Sequence, residues 1–278
     1  MMDAKEIPAI GLGTWHMGDD PAKREQEIQA LRAGIEAGAK VIDTAEMYGD
    51  GRSERLVGEA IAAFAREDLY LVSKFYPWHA GKEDLEATLD KSLARLRTDY
   101  LDLYLLHWSG NVPLEETVTE LERLKKTGKI VHWGVSNFDV DEMQALFEVP
   151  QGTQCLTNQV LYNLGSRGIE YDLLPWMREK DLPLMAYSPI AQGDTLGGDL
   201  RNNSVLKSIA DLHHRTVFQI LLAWAVRDGS TLAIPQSGDA EHVRDNLQAL
   251  NIRLSEEECA LIDQEFPPPS HKQPLDIL

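Results

Sequence analysis

The stretch Leu101-Asp102-Leu103-Tyr104-Leu105-Leu106-His107 is a short apolar run that stops on a polar residue. Its lack of regular polar alternation is how a strand covered on both faces reads. The same pattern recurs along the chain. Val41-Ile42 runs into Asp43, Val72-Ser73 into Lys74 and Val135-Ser136 into Asn137. Leu156-Thr157-Asn158 gives Gln159, and Ala186 gives Tyr187. Successive members lie roughly 20–35 residues apart, the length of one strand–helix–strand step. With Ala9–Gly13 opening the series, the strand candidates are Val41–Asp43, Leu69–Ser73, Leu101–Leu106, Ile130–Ser136, Cys155–Gln159, Leu182–Tyr187 and Thr231–Ile234. Eight parallel strands closed into a barrel bring their C-terminal ends to one rim, where barrel enzymes place their chemistry.

Helical patterns fill the intervals. Leu85, Leu89, Leu93 and Leu96 mark one apolar face of an otherwise charged segment. Pro113 is read as the first residue of the next helix, with Leu114, Val118 and Leu121 inward and Gly128 as its stop. Thr216…Gln219 and Ser255…Glu258 fit capping boxes. This strand–helix alternation predicts a parallel α/β fold, a single (β/α)8 TIM-barrel domain over 1–278 with a short tail after Pro267. The long interval from Tyr187 to Ile234 leaves room for an extra helix and a glycine-rich flap at 193–198.

A net charge of −18 weighs against a nucleic-acid partner. The opening Met1–Glu6 lacks the apolar core of a signal peptide, and no stretch is apolar for the ~20 residues a membrane crossing needs. A cytoplasmic monomer or weak oligomer acting on a small molecule is the expectation. Cys155 and Cys259 read as two reduced, packed thiols. His213-His214 points its rings about 100° apart on a helix, which argues against a shared metal, and no metal site is expected. Asp102 opens its strand and so belongs to the stability face of a barrel.

Asp43, Tyr48, Lys74 and His107 form a chemically sensible set. A free phenol has a pKa of about 10. A neighbouring ammonium is expected to lower it, while a carboxylate holds the ammonium charged. Histidine can direct a hydrogen bond to a carbonyl oxygen. The set would polarise and protonate a C=O; the electron pair must come from elsewhere, and a reduced nicotinamide supplies hydride.

On these residues the chain resembles the aldo-keto reductases, and nearest among them the bacterial, methylglyoxal-reducing kind. Gly11-Leu-Gly-Thr-Trp15, Ile42-Asp-Thr-Ala-Glu-Met-Tyr48, Val72-Ser-Lys74, Asp102-Leu-Tyr-Leu-Leu-His-Trp108, Gly134-Val-Ser-Asn-Phe138, Asn158-Gln-Val160 and Ala186-Tyr-Ser-Pro189 carry the resemblance in family order. It implies an NADP(H)-dependent reduction of small aldehydes and ketones, with Asp43, Tyr48, Lys74 and His107 as a catalytic tetrad and Tyr48 as proton donor. It further implies that Gly13, Thr14, Trp15 and Asp43 border the cofactor and that Ser136, Asn137 and Gln159 bond the nicotinamide carboxamide. By the same resemblance Tyr187 stacks on the ring, and Ser188, Pro189, Ile190, Ala191 and Gln192 follow the pyrophosphate.

The adenosine end departs from the family pattern. The chain reads Ile234-Pro-Gln236-Ser237-Gly238-Asp239, continuing to His242, Asp245 and Asn246. Gln236 stands where relatives place a lysine, Asp239 where they place a threonine, and His242 where they place an arginine. Losing two cations and gaining a carboxylate weakens a 2′-phosphate clamp, so NAD(H) use is expected beside NADP(H). Asp239 as a ribose ligand, Asp239 as a helix cap and Arg244 as a replacement cation remain alternatives.

Trp15, Met47, Tyr76, Trp78, Trp108 and Phe138 are the expected substrate cup, shallow for want of a long C-terminal loop. Methylglyoxal, other α-oxoaldehydes and keto esters are the first candidate substrates. The competing readings are a non-catalytic nicotinamide-binding regulatory barrel and a metal-dependent barrel lyase or hydrolase.

Overall fold

A computed structural model describes residues 7–191 and 199–278. Gln192, the glycine-rich stretch 193–198 and the opening Met1–Glu6 lie outside the described residues, so the flap and leader expectations have no structural counterpart here.

Eight parallel strands pair in chain order: β1 (Leu12–Gly13), β2 (Val41–Asp43), β3 (Tyr70–Phe75), β4 (Leu101–Leu106), β5 (Ile130–Ser136), β6 (Asn158–Leu161), β7 (Leu184–Tyr187) and β8 (Thr231–Ile234). The ring closes where Gly11 N donates to Ala233 O and Ala233 N donates to Ala9 O, both at 2.8 Å, with a further bridge from Gly13 to Gln236. The protein is a (β/α)8 barrel. Gly13 is required for that closure, because a Cβ there would stand 2.6 Å from Ile234 O.

Helices α1 (Arg24–Glu36), α2 (Arg52–Ile61), α3 (Leu85–Leu96), α4 (Leu114–Thr127), α5 (Val140–Glu148) and α6 (Leu173–Glu179) follow the first six strands. Two, α7 (Ser204–His213) and α8 (Val217–Ala225), occupy the long interval before β8, and α9 (Ala240–Gln248) and α10 (Glu256–Glu265) complete the coat. The extra helix is therefore present. Leu85, Leu89, Leu93 and Leu96 are all buried. Both expected capping boxes form, at Thr216/Gln219 and Ser255/Glu258. Pro113 sits one residue earlier than expected: its ψ of 134° makes it the residue preceding α4, and Gly128 closes that helix in the left-handed conformation.

Two-residue alternation sorts the strands into two cores. Val41, Tyr70, Val72, Leu103, Leu105, Met185 and Ile234 fill the barrel lumen. Ile42, Leu71, Phe75, Tyr104 and Leu106 pack outward with the helices. Continuing the inward set by one step puts Asp43 after Val41, Lys74 after Val72 and His107 after Leu105, all on the inner face at the C-terminal rim. Asp102 sits at the opposite end, where it accepts from Arg66 Nη2 at 2.7 Å and from Leu71 N at 2.8 Å.

Four strands differ from expectation at their bounds: β1 begins at Leu12 rather than Ala9, β7 at Leu184 rather than Leu182, and β6 and β3 are also shifted. β6 begins at Asn158 rather than Cys155, because its ladder to β5 consists of Val135–Asn158 and Ser136–Gln159 alone, and it then runs on beside β7 to Leu161. β3 extends two residues further, so Lys74 lies inside the ladder, opposite Leu105.

Candidate active site

Lys74 is fully buried, and its ammonium has three protons to place. Nζ donates to Asp43 Oδ2 at 2.7 Å, to Thr44 O at 2.9 Å and to Tyr48 Oη at 3.0 Å. Burial alone would depress its pKa; Asp43 and Tyr48 outweigh that and raise it, so the group stays charged. Asp43 is raised by desolvation, which Lys74 and Gln159 only partly offset.

Tyr48 corrects one expectation. Its pKa lies above the usual phenol value, because burial outweighs the lowering by Lys74 and Asp43 pushes further upward. In this site the ammonium limits the rise rather than producing an acidic phenol. His107 is buried beside it, with ring centroids 6.0 Å apart at 73°. Burial first, and the Lys74 charge second, push the His107 imidazole down to about 2, so it is neutral at physiological pH. Its Nδ1 is buried and has no hydrogen-bond partner among the described residues.

The tetrad residues Asp43, Tyr48 and His107 face a cavity of about 490 Å³. Of the expected cofactor residues, Gly13, Thr14, Trp15, Asp43, Ser136, Asn137, Gln159, Tyr187, Ser188, Pro189, Ile190 and Gln236 line it. Ser136, Asn137 and Gln159, the trio expected at the carboxamide, are engaged within the protein. Gln159 Nε2 donates to Asp43 Oδ1 at 2.7 Å, and Ser136 Oγ donates to Gln159 O at 2.8 Å. Asn137 Nδ2 donates to His107 O, while Asn137 Oδ1 accepts from the Tyr187 hydroxyl at 2.9 Å. Thr14 Oγ1 donates to the Asp43 carbonyl, fastening β1 to β2 at the rim.

Other expected residues are not brought to the cavity wall. Ala191 is fully buried. Ser237, Gly238, Asp239, His242, Asp245 and Asn246 lie on the loop after β8 and on α9. Asp239 Oδ1 accepts from Glu241 N and His242 N, so it is a helix cap in this structure. Arg244 is exposed. Sequence reading missed Glu27 here: its buried side chain packs under Gly238, with Cγ 3.3 Å from where a Cβ would stand, and its Oε2 accepts from Gly18 N.

On the substrate side, Trp15 and Met47 line the cavity, as do His16, Ile234, Pro235 and Leu278, which were not foreseen. Tyr76, Trp78 and Trp108 stand outside it as an aromatic group, Tyr76 stacked on Trp78 and Trp108 edge-on to both. Phe138 is a correction: it is fully buried in the outer core. Asn137 adopts φ 58° at the strand end, and Asn158 clasps the Phe138 backbone, donating to its carbonyl at 2.8 Å and accepting from its N–H. The ring is thereby turned away from the rim. The tail after α10 is held by Lys272, whose Nζ reaches Asp139 Oδ1 at 2.6 Å and Asp172 Oδ2 at 2.7 Å.

Both cysteines are free, and burial pushes the Cys155 thiol up to about 12. No helix among the described residues is long and apolar enough to cross a membrane. Among those residues, no cluster of His, Cys, Asp and Glu is arranged to hold a metal, and His213 instead meets Glu258 at 2.8 Å.

The Aldo/keto reductase family profile matches residues 9–265. The chain is 51% identical to methylglyoxal reductase YeaE of Escherichia coli over 98% of its length and 95% of that protein. It is 34% identical to glyoxal reductase of Bacillus subtilis over 93% of its length and 88% of that protein. Its fold matches an aldo-keto reductase from Klebsiella pneumoniae crystallised with NADPH, at a TM-score of 0.96 and 54% identity over 98% and 95% of the two chains. A barrel with an Asp–Lys–Tyr–His rim and matches of this extent leave one assignment: the chain is a member of the aldo/keto reductase family of oxidoreductases.

Proposed function

We propose that this enzyme reduces small aldehydes and ketones with NADPH, methylglyoxal and other α-oxoaldehydes first and keto esters next, using Tyr48 as the general acid. The observation that carries this reading is the commitment of all three Lys74 protons, one of them to Tyr48 Oη. An ammonium so bonded cannot accept a proton, and a phenol oxygen that accepts its hydrogen bond keeps its own O–H to donate elsewhere. The raised pKa keeps Tyr48 protonated at neutral pH, ready as a donor. As the proton leaves, charge develops on the phenol oxygen where Lys74 already points, so the interaction strengthens in the transition state. Neutral His107 orients the carbonyl without competing as a proton source.

The nicotinamide cofactor, when bound, supplies hydride to the carbonyl carbon. The cavity lining fits that group: the Gln159 amide oxygen, with its nitrogen held by Asp43 and Met185, would accept from the carboxamide N–H, and the half-buried Tyr187 ring offers a flat face. Gln159 would hold the carboxamide while remaining bonded to Asp43. Ser188, Pro189 and Ile190 would follow the phosphates. The Klebsiella relative's complex with NADPH supports that cofactor, and the name of the E. coli relative supports methylglyoxal.

NADH use is part of the proposal. Gln236 supplies no charge, Asp239 is an exposed carboxylate at the cap, and Glu27 lies beneath Gly238. A 2′-phosphate meets little compensating charge there. The test is a cofactor-oxidation screen over a carbonyl panel, run with NADPH and NADH at matched concentrations. Turnover of α-oxoaldehydes with both supports the reading. Activity on sugars or steroids only would remove the substrate assignment, and a more than hundredfold advantage for NADPH would remove the NADH part.

A further inference from the structure

Lys74 takes two of its three acceptors from consecutive residues at the end of β2, the Asp43 carboxylate and the Thr44 carbonyl. The Thr44 backbone is held on one side by β3, its N–H donating to Val72 O at 2.9 Å. Its side chain is held elsewhere: Thr44 Oγ1 donates to Ser53 Oγ at 3.1 Å. Ser53 is fully buried in the first turn of α2 and does not line the cavity.

From Ser53 the hydroxyls run on in one direction. Ser53 Oγ donates to Thr14, whose carbonyl and hydroxyl oxygens lie 3.0 and 2.8 Å away. Thr14 Oγ1 then donates to the Asp43 carbonyl at 2.9 Å. The chain starts at Thr44 and returns to Asp43, closing a loop around the peptide bond that joins them. Ser53 also reaches the residue that bears the third Lys74 acceptor, because its N–H donates to the Tyr48 carbonyl at 3.3 Å. Its base is firm. The next residue, Glu54, is equally buried, with Oε1 accepting from Ser73 Oγ at 2.6 Å and Oε2 accepting from Arg95 Nε. Those bonds tie the first turn of α2 to α3 and to the β3 residue just before Lys74.

We propose that Ser53 is a positioning residue for the proton transfer: through the Thr44 side chain and the Tyr48 backbone it sets the 3.0 Å approach of Lys74 Nζ to Tyr48 Oη. This role rests on the reading of Tyr48 as the acid and adds to it a residue outside the cavity. When the Tyr48 O–H bond breaks and the proton passes to the carbonyl oxygen, negative charge is left on the phenol oxygen. A donor already in place stabilises that charge without reorganising. Without the Ser53 hydroxyl, Thr44 keeps only its backbone bond, its carbonyl gains freedom to turn, and Lys74 moves with it. A misplacement of about 1 Å costs up to about a hundredfold in rate. The loss falls on the chemical step rather than on KM or NADPH affinity.

The experiment is a single turnover of NADPH with enzyme in excess and methylglyoxal saturating, in H2O and in D2O. Its rate constant reports the chemical step and is independent of how many sites are folded; NADPH titration counts those sites. Ser53→Ala lowers the rate constant about tenfold with the number of sites retained. The solvent isotope effect on that rate constant rises, because proton transfer weighs more in it. Ser53→Ala leaves the buried Thr44 hydroxyl without its acceptor, so a second variant combines it with Thr44→Val, which removes both partners and spares the fold that penalty. The double variant shows the same low rate constant. An unchanged rate constant in either variant, or a loss of sites with the isotope effect unaltered, would overturn the positioning role. The Lys74 ammonium signal in proton–nitrogen correlation spectra, identified by its absence in Lys74→Met, gives a readout without cofactor. Its exchange with water quickens severalfold in Ser53→Ala, and an unaltered exchange rate would also overturn the role. Should the unmodified protein oxidise NADPH with no aldehyde while that signal still responds to Ser53→Ala, the reductase reading falls and the hold of Ser53 on Lys74 stands.

Discussion

Gln159 Nε2 donates to Asp43 Oδ1 at 2.7 Å, joining residues 116 positions apart across the barrel rim. Asp43 gives its other oxygen to Lys74, which bonds Tyr48. One carboxylate therefore couples the amide assigned to the cofactor with the acid assigned to the substrate. Gln159 also holds Met185 Sδ at 2.7 Å, so its amide nitrogen is fully used and its amide oxygen faces no described donor.

Gln159→Leu tests that coupling. Asp43 Oδ1 would be left buried and unpaired, which costs about 1–3 kcal/mol. A fall in unfolding free energy of that size is expected, together with weaker NADPH binding and a lower kcat. Normal turnover in a variant with lost NADPH affinity would show that the two ends of the relay act separately.

The pH dependence of stability tests the neutral His107. Its folded pKa is lowered to about 2 from the ordinary 6.5, so below pH 6.5 the unfolded chain binds a proton that the folded chain refuses. Stability is therefore lost as pH falls from about 6.5, at about 1.4 kcal/mol per unit. Between pH 7 and 5 the unfolding free energy of the unmodified protein should drop by about 2 kcal/mol more than that of His107→Gln. Equal slopes would mean that the imidazole titrates normally in the folded protein.

Cofactor choice tests the adenosine end. Gln236→Lys restores a cation beside the cap at Asp239 and should lower KM for NADPH by roughly tenfold, the effect of one charge-assisted bond to a phosphate. KM for NADH should change little. A gain shared equally by both cofactors would place that residue away from the 2′-phosphate.

Much of this site was readable from sequence because strand alternation fixes it. Asp43, Lys74 and His107 follow inward-facing Val41, Val72 and Leu105 by two residues, and period two carries them to the same inner face. Phe138 was not readable, since one left-handed Asn137 turns the chain after β5 and Asn158 clamps the Phe138 backbone so that its ring lies in the outer core. The arrival of Leu278 at the cavity depends on Lys272 meeting two helix-capping aspartates, Asp139 and Asp172, that are far from it in sequence. The direction of the Tyr48 shift was misread for an energetic reason: pairing with Lys74 is evident from residue types, but the depth of burial that outweighs it is not.

Tyr48→Phe decides whether the phenol is the proton donor. The substitution removes one hydroxyl and leaves the ring beside His107 and Lys74. Steady-state reduction of methylglyoxal should fall by about 10²–10⁴-fold in kcat, while NADPH titrated by fluorescence binds within about twofold of the unmodified enzyme. A variant that binds NADPH and keeps most of its turnover would contradict Tyr48 as the acid and move the proton to another group.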